Sequence, residues 1–266
     1  MAIWHNGELK QTALIDATSA GVLLGWGVFS TVGIQEGRAL WLPNHLRRLR
    51  RDAARCEIDI PFSDKEFADG LNAVVGATGV QNGLARLTVS RSDDGRWNAQ
   101  NGSDFTIMAL ETAPVQTRDL RVELGRAPEL GPLAGVKTTS YLPFLWCWRE
   151  AVGRGFDEAV LFDAQGHVVE AARSSVFWAR DGVLETSPLE SGALDGVGRE
   201  VVIQKARQLN IAVREKWLQT RDLKRCDEVF LVSGATGPRS VGSVEGEVLP
   251  PAKPIFEQLH GWWHTL

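Results

Sequence analysis

Apolar and polar residues alternate in short runs along most of this chain and change to a spacing of three and four in a few places, which predicts many short strands and a handful of helices. MAIWHNGELK reads as a hairpin turning at Asn6-Gly7, and LLGWGVFSTVGIQEGRALWL as a strand, a turn at Glu36-Gly37 and a returning strand. Beyond Pro43, Leu46, Leu49, Ala53 and Cys56 fall at spacings of 3, 4 and 3, one face of a helix with Asn44 placed to cap it. A second helix is predicted over 64–76, then strands from ARLTVSRS and over 105–110, with the polar loop SDDGRWNAQNGSD between them. ETAPVQTRD carries no hydrophobic period. It divides a small N-terminal domain, 1–112, by a linker, 113–118, from a larger domain, 119–266.

In the larger domain DLRVELG is a strand and 143–153 a helix, and EAVLFDAQGHVVEAARSSVFWARDGVLETSP holds the clearest β signal, with short strands at 158–163, 167–171, 174–179 and 183–187. DGVGREVVIQKARQLNI is a glycine loop feeding a helix. Strands at 213–217 and in EVFLVS, a turn or short helix at 221–224, and a helix over 254–263 complete an α+β pattern.

Hydrophobic residues make up 44% of the 266 and charged ones 23%, the balance of an ordinary globular protein. A net charge of -4 without a basic stripe offers no footprint for nucleic acid or an anionic membrane. No apolar run approaches the ~20 residues of a spanning helix, and no basic region precedes an apolar one as in a signal peptide, so a cytoplasmic protein is expected. Cys56, Cys147 and Cys226 lie far apart with no metal-ligand spacing, and His260 and His264 have no third ligand nearby. No metal is expected.

The candidate chemistry centres on Lys137. Lysines are scarce, with none between Lys65 and Lys137 or between Lys137 and Lys205, and Lys137 sits among Val136, Leu142, Phe144 and Trp146. An ammonium losing hydration there has its pKa pushed down and becomes a nucleophile able to form an imine with an aldehyde such as pyridoxal 5'-phosphate (PLP), although a lysine that snorkels to water reads the same from sequence. Glu170, in VVEAA, is placed to hold a proton on a pyridine nitrogen and by strict alternation shares a face with Val168, although an edge strand with its polar face in water is equally consistent. Val197 and Gly198, in DGVGRE, open a helix whose backbone amides suit a phosphate. Gly25 and Gly27 lack the third glycine and the helix of a dinucleotide loop.

With these residues in order, the chain resembles the class IV (fold type IV) PLP enzymes, a family of branched-chain and D-amino acid aminotransferases and aminodeoxychorismate lyase. The resemblance is carried by GWGVFST, HLRRL, VKTTSYL, FDEAVLFDAQGHVVEAARSSVFW, LDGVGRE and DEVFLVSGATG. It implies a small N-terminal α/β domain, a larger C-terminal domain with a barrel-like sheet, and a homodimer. By the same resemblance Lys137 is the Schiff-base lysine, Glu170 the pyridinium partner, Arg48 a phosphate ligand, and Val197 and Gly198 the amides at the helix start. Phe29-Ser30-Thr31, with neutral hydroxyls where many family transaminases have glutamate, and SRSDDGRW resemble the lyases. They favour a 4-amino-4-deoxychorismate lyase, with Thr31 assisting departure of the leaving group and Arg91 and Arg96 pairing with substrate carboxylates. SGATGPRS matches neither branch well, Ser140 stands where the lyases and some transaminases have asparagine, and the alternative is an aminotransferase acting on an α-amino acid or amine.

Overall fold

The computed structural model describes residues 2–95, 102–113 and 118–265. The chain folds as two compact units, one of Met1–Pro114 with Val136–Tyr141, the other of Val115–Gly135 with Leu142–Leu266. The lysine segment, placed in the second domain by the sequence reading, is thus grouped with the first unit. Most of the expected linker, 114–117, lies outside the described residues.

In chain order the first unit comprises β1 (Ile3–His5), β2 (Glu8–Lys10), α1 (Ala20–Leu23), β3 (Gly27–Gln35), β4 (Arg38–Ala39), α2 (Leu42–Arg55), α3 (Asp64–Thr78), β5 (Gly83–Arg91) and β6 (Ser103–Glu111). The strands form an antiparallel sheet in the order β2-β1-β6-β5-β3-β4. Period-two alternation assigns each face. Val28 and Val32, Ala85, Leu87 and Val89, and Phe105 and Ile107 share a core with Leu46 and Leu49 of α2 and Phe67, Leu71 and Val74 of α3. Phe29, Thr31, Arg86 and Thr88 share the other face, with Phe29 opposite Thr88 and Thr31 opposite Arg86. The turn at Asn6-Gly7 has positive φ at both residues, 49° and 93°, as a two-residue hairpin requires.

Asn44 does not cap α2. The helix starts at Leu42, and Pro43 is accommodated in a first turn where its missing N–H costs nothing. Ser63 caps α3 through a reciprocal capping box with Glu66.

The second unit comprises β7 (Leu120–Arg126), α4 (Leu142–Gly153), β8 (Glu158–Phe162), β9 (Val168–Ala171), β10 (Ser175–Arg180), β11 (Val183–Thr186), α5 (Val197–Gln208), β12 (Val213–Glu215), α6 (Thr220–Leu223), β13 (Glu228–Ser233), β14 (Gly237–Val244), β15 (Glu247–Val248) and α7 (Pro254–Trp263). Its sheet runs β12-β11-β10-β13-β14-β7-β8-β9, with β15 on β14. Val160 of β8 and Trp178 of β10 stand near opposite ends of that order yet share one core, because the sheet curls. Strand β14 is not legible in the sequence, where its two glycines and Pro238 hide the period. It exists because antiparallel β13 and parallel β7 supply partners on both sides. Among the described residues no helix is long and apolar enough to cross a membrane.

Candidate active site

Lys137 owes its position to backbone bonds with β3. Its carbonyl accepts the Phe29 N–H (3.0 Å), the Thr139 N–H donates to the Gly27 carbonyl (2.8 Å), and Val28 bridges Thr138. The two glycines of GWG make this approach possible. A Cβ on Gly27 would lie 2.9 Å from Thr139 Oγ1, and Gly25, at φ +65°, accepts hydrogen bonds from the Thr139 and Ser140 hydroxyls at its carbonyl. The motif that superficially suggests a dinucleotide loop is the seat of the lysine strand.

With Thr138 on the Val28 side, alternation turns Lys137 to the Phe29 side. Its Nζ lies 4.8 Å from the Phe29 ring centroid and 4.5 Å from that of Tyr141, and donates to Tyr141 Oη at 3.3 Å. The two rings meet edge to face. On the same face the Arg86 guanidinium stacks 3.6 Å from the Phe29 centroid, with desolvation holding its pKa below the usual arginine range, and no described carboxylate pairs with it. Thr31 is directly across the β3–β5 ladder from Arg86. The sequence reading missed Arg86 and Tyr141, since Arg86 is singled out by the face of β5 it occupies and Tyr141 by the fold of the segment that follows Lys137.

The remaining first-unit candidates lie elsewhere. Arg48 is buried and reaches β3 from the helix side, where its Nη2 donates to Ser30 Oγ (2.7 Å) and the Phe29 carbonyl (3.4 Å). Ser30 Oγ also lies 2.7 Å from His45 Nδ1. The Ser30 hydroxyl therefore belongs to the interior and does not line the lysine face with Thr31, as the lyase argument had taken it to do. Arg91, expected to pair with a substrate carboxylate, donates from Nε and Nη2 to both oxygens of Asp93 (2.8 and 2.6 Å) and lies over Trp26, on the face opposite Arg86. A buried guanidinium already held by a bidentate carboxylate is not poised for a second one. Arg96 lies outside the described residues.

In the second unit Glu170 is buried on β9, where its Oε2 accepts the Leu194 N–H at 3.4 Å. It borders a cavity of about 280 Å³ with Phe144, Val169 and Gly192. The face expected for Glu170 needs correction. The ladder pairs Leu161 with Glu170 and Phe162 with Val168, leaving Val169 as a bulge. Val168 and Ala171 therefore enter the core while Val169 and Glu170 both line the cavity, an outcome strict alternation excludes.

Leu194 leads to Gly196, the N-cap of α5, and among the described residues no side chain makes a capping hydrogen bond there. The amides of Val197 and Gly198 thus open a helix N-terminus with its positive dipole end toward any ligand. Gly198 is required by packing, since a Cβ there would fall 2.6 Å from the Ser233 carbonyl carbon and 2.8 Å from Gly234 N. The turn between β13 and β14, carrying the hydroxyls of Ser233 and Thr236, is brought against the helix start.

Within its own unit, each of these groups suits one part of pyridoxal phosphate. A helix start without a side-chain cap, backed by a glycine-tight turn, suits a phosphate, a buried carboxylate suits a pyridinium, and an amine beside two rings suits an aldehyde.

The chain matches the family described as amino-transferase class IV over residues 27–244. It is 27% identical over 275 residues to the D-alanine aminotransferase of Listeria monocytogenes, covering 99% of this chain and 95% of that protein. The structure of a branched-chain aminotransferase from Thermoproteus uzoniensis, with norvaline, superposes with a TM-score of 0.89 at 28% identity, covering 98% and 93% of the two chains. A Legionella pneumophila protein provisionally named 4-amino-4-deoxychorismate lyase shares the fold with a TM-score of 0.91 at 22% identity, over 96% of each chain. The chain belongs to the class IV aminotransferase family and is a PLP-dependent enzyme acting on an amino-acid or keto-acid substrate.

Proposed function

We propose that the enzyme is an aminotransferase, which moves an amino group between an α-amino acid and a keto acid, with Lys137 as the cofactor lysine. The observation that carries this reading is that the Lys137 amine and the Arg86 guanidinium, which has no carboxylate partner among the described residues, both stand over the Phe29 ring. One group addresses the amino end of an amino acid and the other a carboxylate. The relatives named aminotransferases at 27–28% identity over nearly the full chain support it.

The cofactor, when bound, supplies an electron sink for the pair left on the substrate carbon after its proton is removed. Lys137 would hold the aldehyde through Nζ, and the same atom, when free, would be the base placed to take the proton from the substrate α-carbon. Tyr141 Oη holds Nζ beside the Phe29 ring, which the Tyr141 ring meets edge to face. Glu170 would hold a proton at the ring nitrogen. The amides of Val197 and Gly198 would bind the phosphate, and Arg48 would be the cation offered to it. A homodimer accords with the family and with the exposed apolar residues Leu14, Leu23, Leu24, Leu142 and Trp146.

Thr31 favours a second reading. Its place on the lysine face leaves a hydroxyl able to assist departure of an enolpyruvyl oxygen, as a lyase requires. One experiment separates the two. Purified enzyme is offered a panel of amino donors with 2-oxoglutarate or pyruvate, and separately aminodeoxychorismate. Keto-acid-dependent turnover of an amino acid is expected. Release of pyruvate and 4-aminobenzoate at a Thr31-dependent rate, with no transamination, would establish the lyase instead.

A further inference from the structure

Helix α2 turns three buried polar side chains, His45, Arg48 and Asp52, toward the strands that carry the site. The first two reach β3. Asp52 reaches the lysine itself, its Oδ2 accepting the main-chain N–H of Lys137 at 3.2 Å across 85 residues of sequence. Its Oδ1 accepts Nε and Nη2 of Arg51 at 3.2 and 3.0 Å. Only 1% of Asp52 is exposed. A carboxylate this buried is costly unless its acceptors are used, and here both oxygens are.

The bond has a geometric consequence. Phe29 N–H holds the carbonyl of Lys137 and Asp52 holds its N–H, so both peptide groups flanking that Cα are tied, one to the sheet and one to the helix beneath it. With both fixed, the Cα–Cβ bond of Lys137 is committed to the Phe29 face, where the ammonium meets Phe29 and Tyr141.

We infer that Asp52 is a positioning residue for Lys137, anchoring the lysine's main chain so that Nζ is presented to the cofactor aldehyde. The inference rests on Lys137 being the cofactor lysine. Attachment joins Lys137 Nζ to the aldehyde carbon and expels the carbonyl oxygen as water, and Asp52 takes no part in that exchange of atoms. It sets the frequency with which Nζ stands in line for it.

The test uses full-length enzyme stripped of cofactor, with two ligands. Pyridoxal 5'-phosphate reports attachment through the growth rate of its visible band. Pyridoxine 5'-phosphate has the same ring and phosphate but no aldehyde, and its dissociation constant reports the rest of the site. In Asp52→Ala, attachment is expected to slow about 10²-fold, the scale of a misplaced reacting group, while pyridoxine 5'-phosphate binds as in the parent. Asp52→Asn keeps an acceptor oxygen and is expected to attach within about threefold of the parent, since hydrogen bonds to neutral acceptors differ modestly from charged ones. Asp52→Ser, whose hydroxyl stops one bond short, should follow alanine and replaces it if Asp52→Ala does not fold. Parental attachment rates in the alanine or serine variant would overturn the proposal, as would equal weakening of both ligands. A borohydride label found off Lys137 in the parent would overturn the lysine reading and this one with it, whereas a label on Lys137 with an unchanged Asp52→Ala rate overturns Asp52 alone.

Discussion

Arg86 illustrates how much a single side chain can decide about the substrate. Its guanidinium is partly desolvated, rests on the Phe29 ring and donates Nε to Thr88 Oγ1, and among the described residues no carboxylate pairs with its Nη donors. Arg86→Leu should lower kcat/KM for α-amino acids by roughly 10- to 100-fold, the worth of charge-assisted bonds at about 1.5–3 kcal/mol, and should scarcely affect amines lacking a carboxylate. An equal loss on both substrate classes would remove Arg86 from carboxylate recognition. For Glu170, the isosteric change to glutamine removes the charge that keeps a ring nitrogen protonated but leaves the cavity shape intact. Proton removal from substrate should slow while covalent attachment at Lys137 persists. Rapid-mixing spectra with an unchanged proton-removal rate would rule the role out.

Glycines distinguish a helix that must touch something from one that need not. At the start of α5 a Cβ on Gly198 would press on the Ser233–Gly234 turn, whereas Gly76 in α3 has nothing within 4 Å of such a Cβ. Gly198→Ala should cost about 1–3 kcal/mol by overpacking and weaken PLP binding, because the amides at the helix start move with the turn. Gly76→Ala should instead gain about 0.5–1 kcal/mol from helix propensity with no effect on PLP. Thermal melts and PLP titrations of the pair check both. A Gly198→Ala enzyme with parental affinity would show that the turn does not set the phosphate cup.

At the scale of the whole molecule, the second unit is pinned near its start by Asp157, which accepts both Arg118 Nη1 (2.8 Å) and Nη2 (2.6 Å) and the Arg121 N–H (2.8 Å). Hydrogen bonding by the Arg118 guanidinium holds this carboxyl well below the usual range. A carboxyl whose folded pKa is depressed stabilises the fold above its unfolded value near 3.9, and that contribution is lost as pH falls through the folded value. Solvent screening at the exposed arginines limits it to under about 1 kcal/mol. Asp157→Asn should therefore melt up to about 2–4 °C lower than the parent at pH 7, with the gap closing below about pH 4. A gap that widened on acidification would contradict this sign. The apolar side chains exposed on the isolated chain lead to one more expectation, a solution mass near twice that of the chain in light scattering. A monomer would leave Leu14, Leu24, Leu142 and Trp146 without the cover proposed for them.

How much of this was legible beforehand depends on the range of the interactions involved. Local patterns, the helical spacing of Leu46, Leu49 and Ala53 or the period of β8 to β11, are set by neighbours a few residues apart and can be read directly. Lys137, Glu170, Arg48 and the α5 glycines stood out because their residue types are unusual in apolar or loop surroundings and recur in the family's order. Tertiary structure alone decided where the side chains point. The bulge at Val169 reversed the face of Glu170, the Asp93 pair took Arg91, alternation brought Arg86 to the lysine, and partners on both sides made a strand of β14. Each of these depends on register or pairing between segments distant in sequence, where a one-residue shift reverses the outcome while leaving composition and local period unchanged. The lysine segment is the clearest case. Its chain neighbours lie in the second unit, but its hydrogen bonds go to Phe29, Gly27 and Asp52, and those bonds assign it to the first.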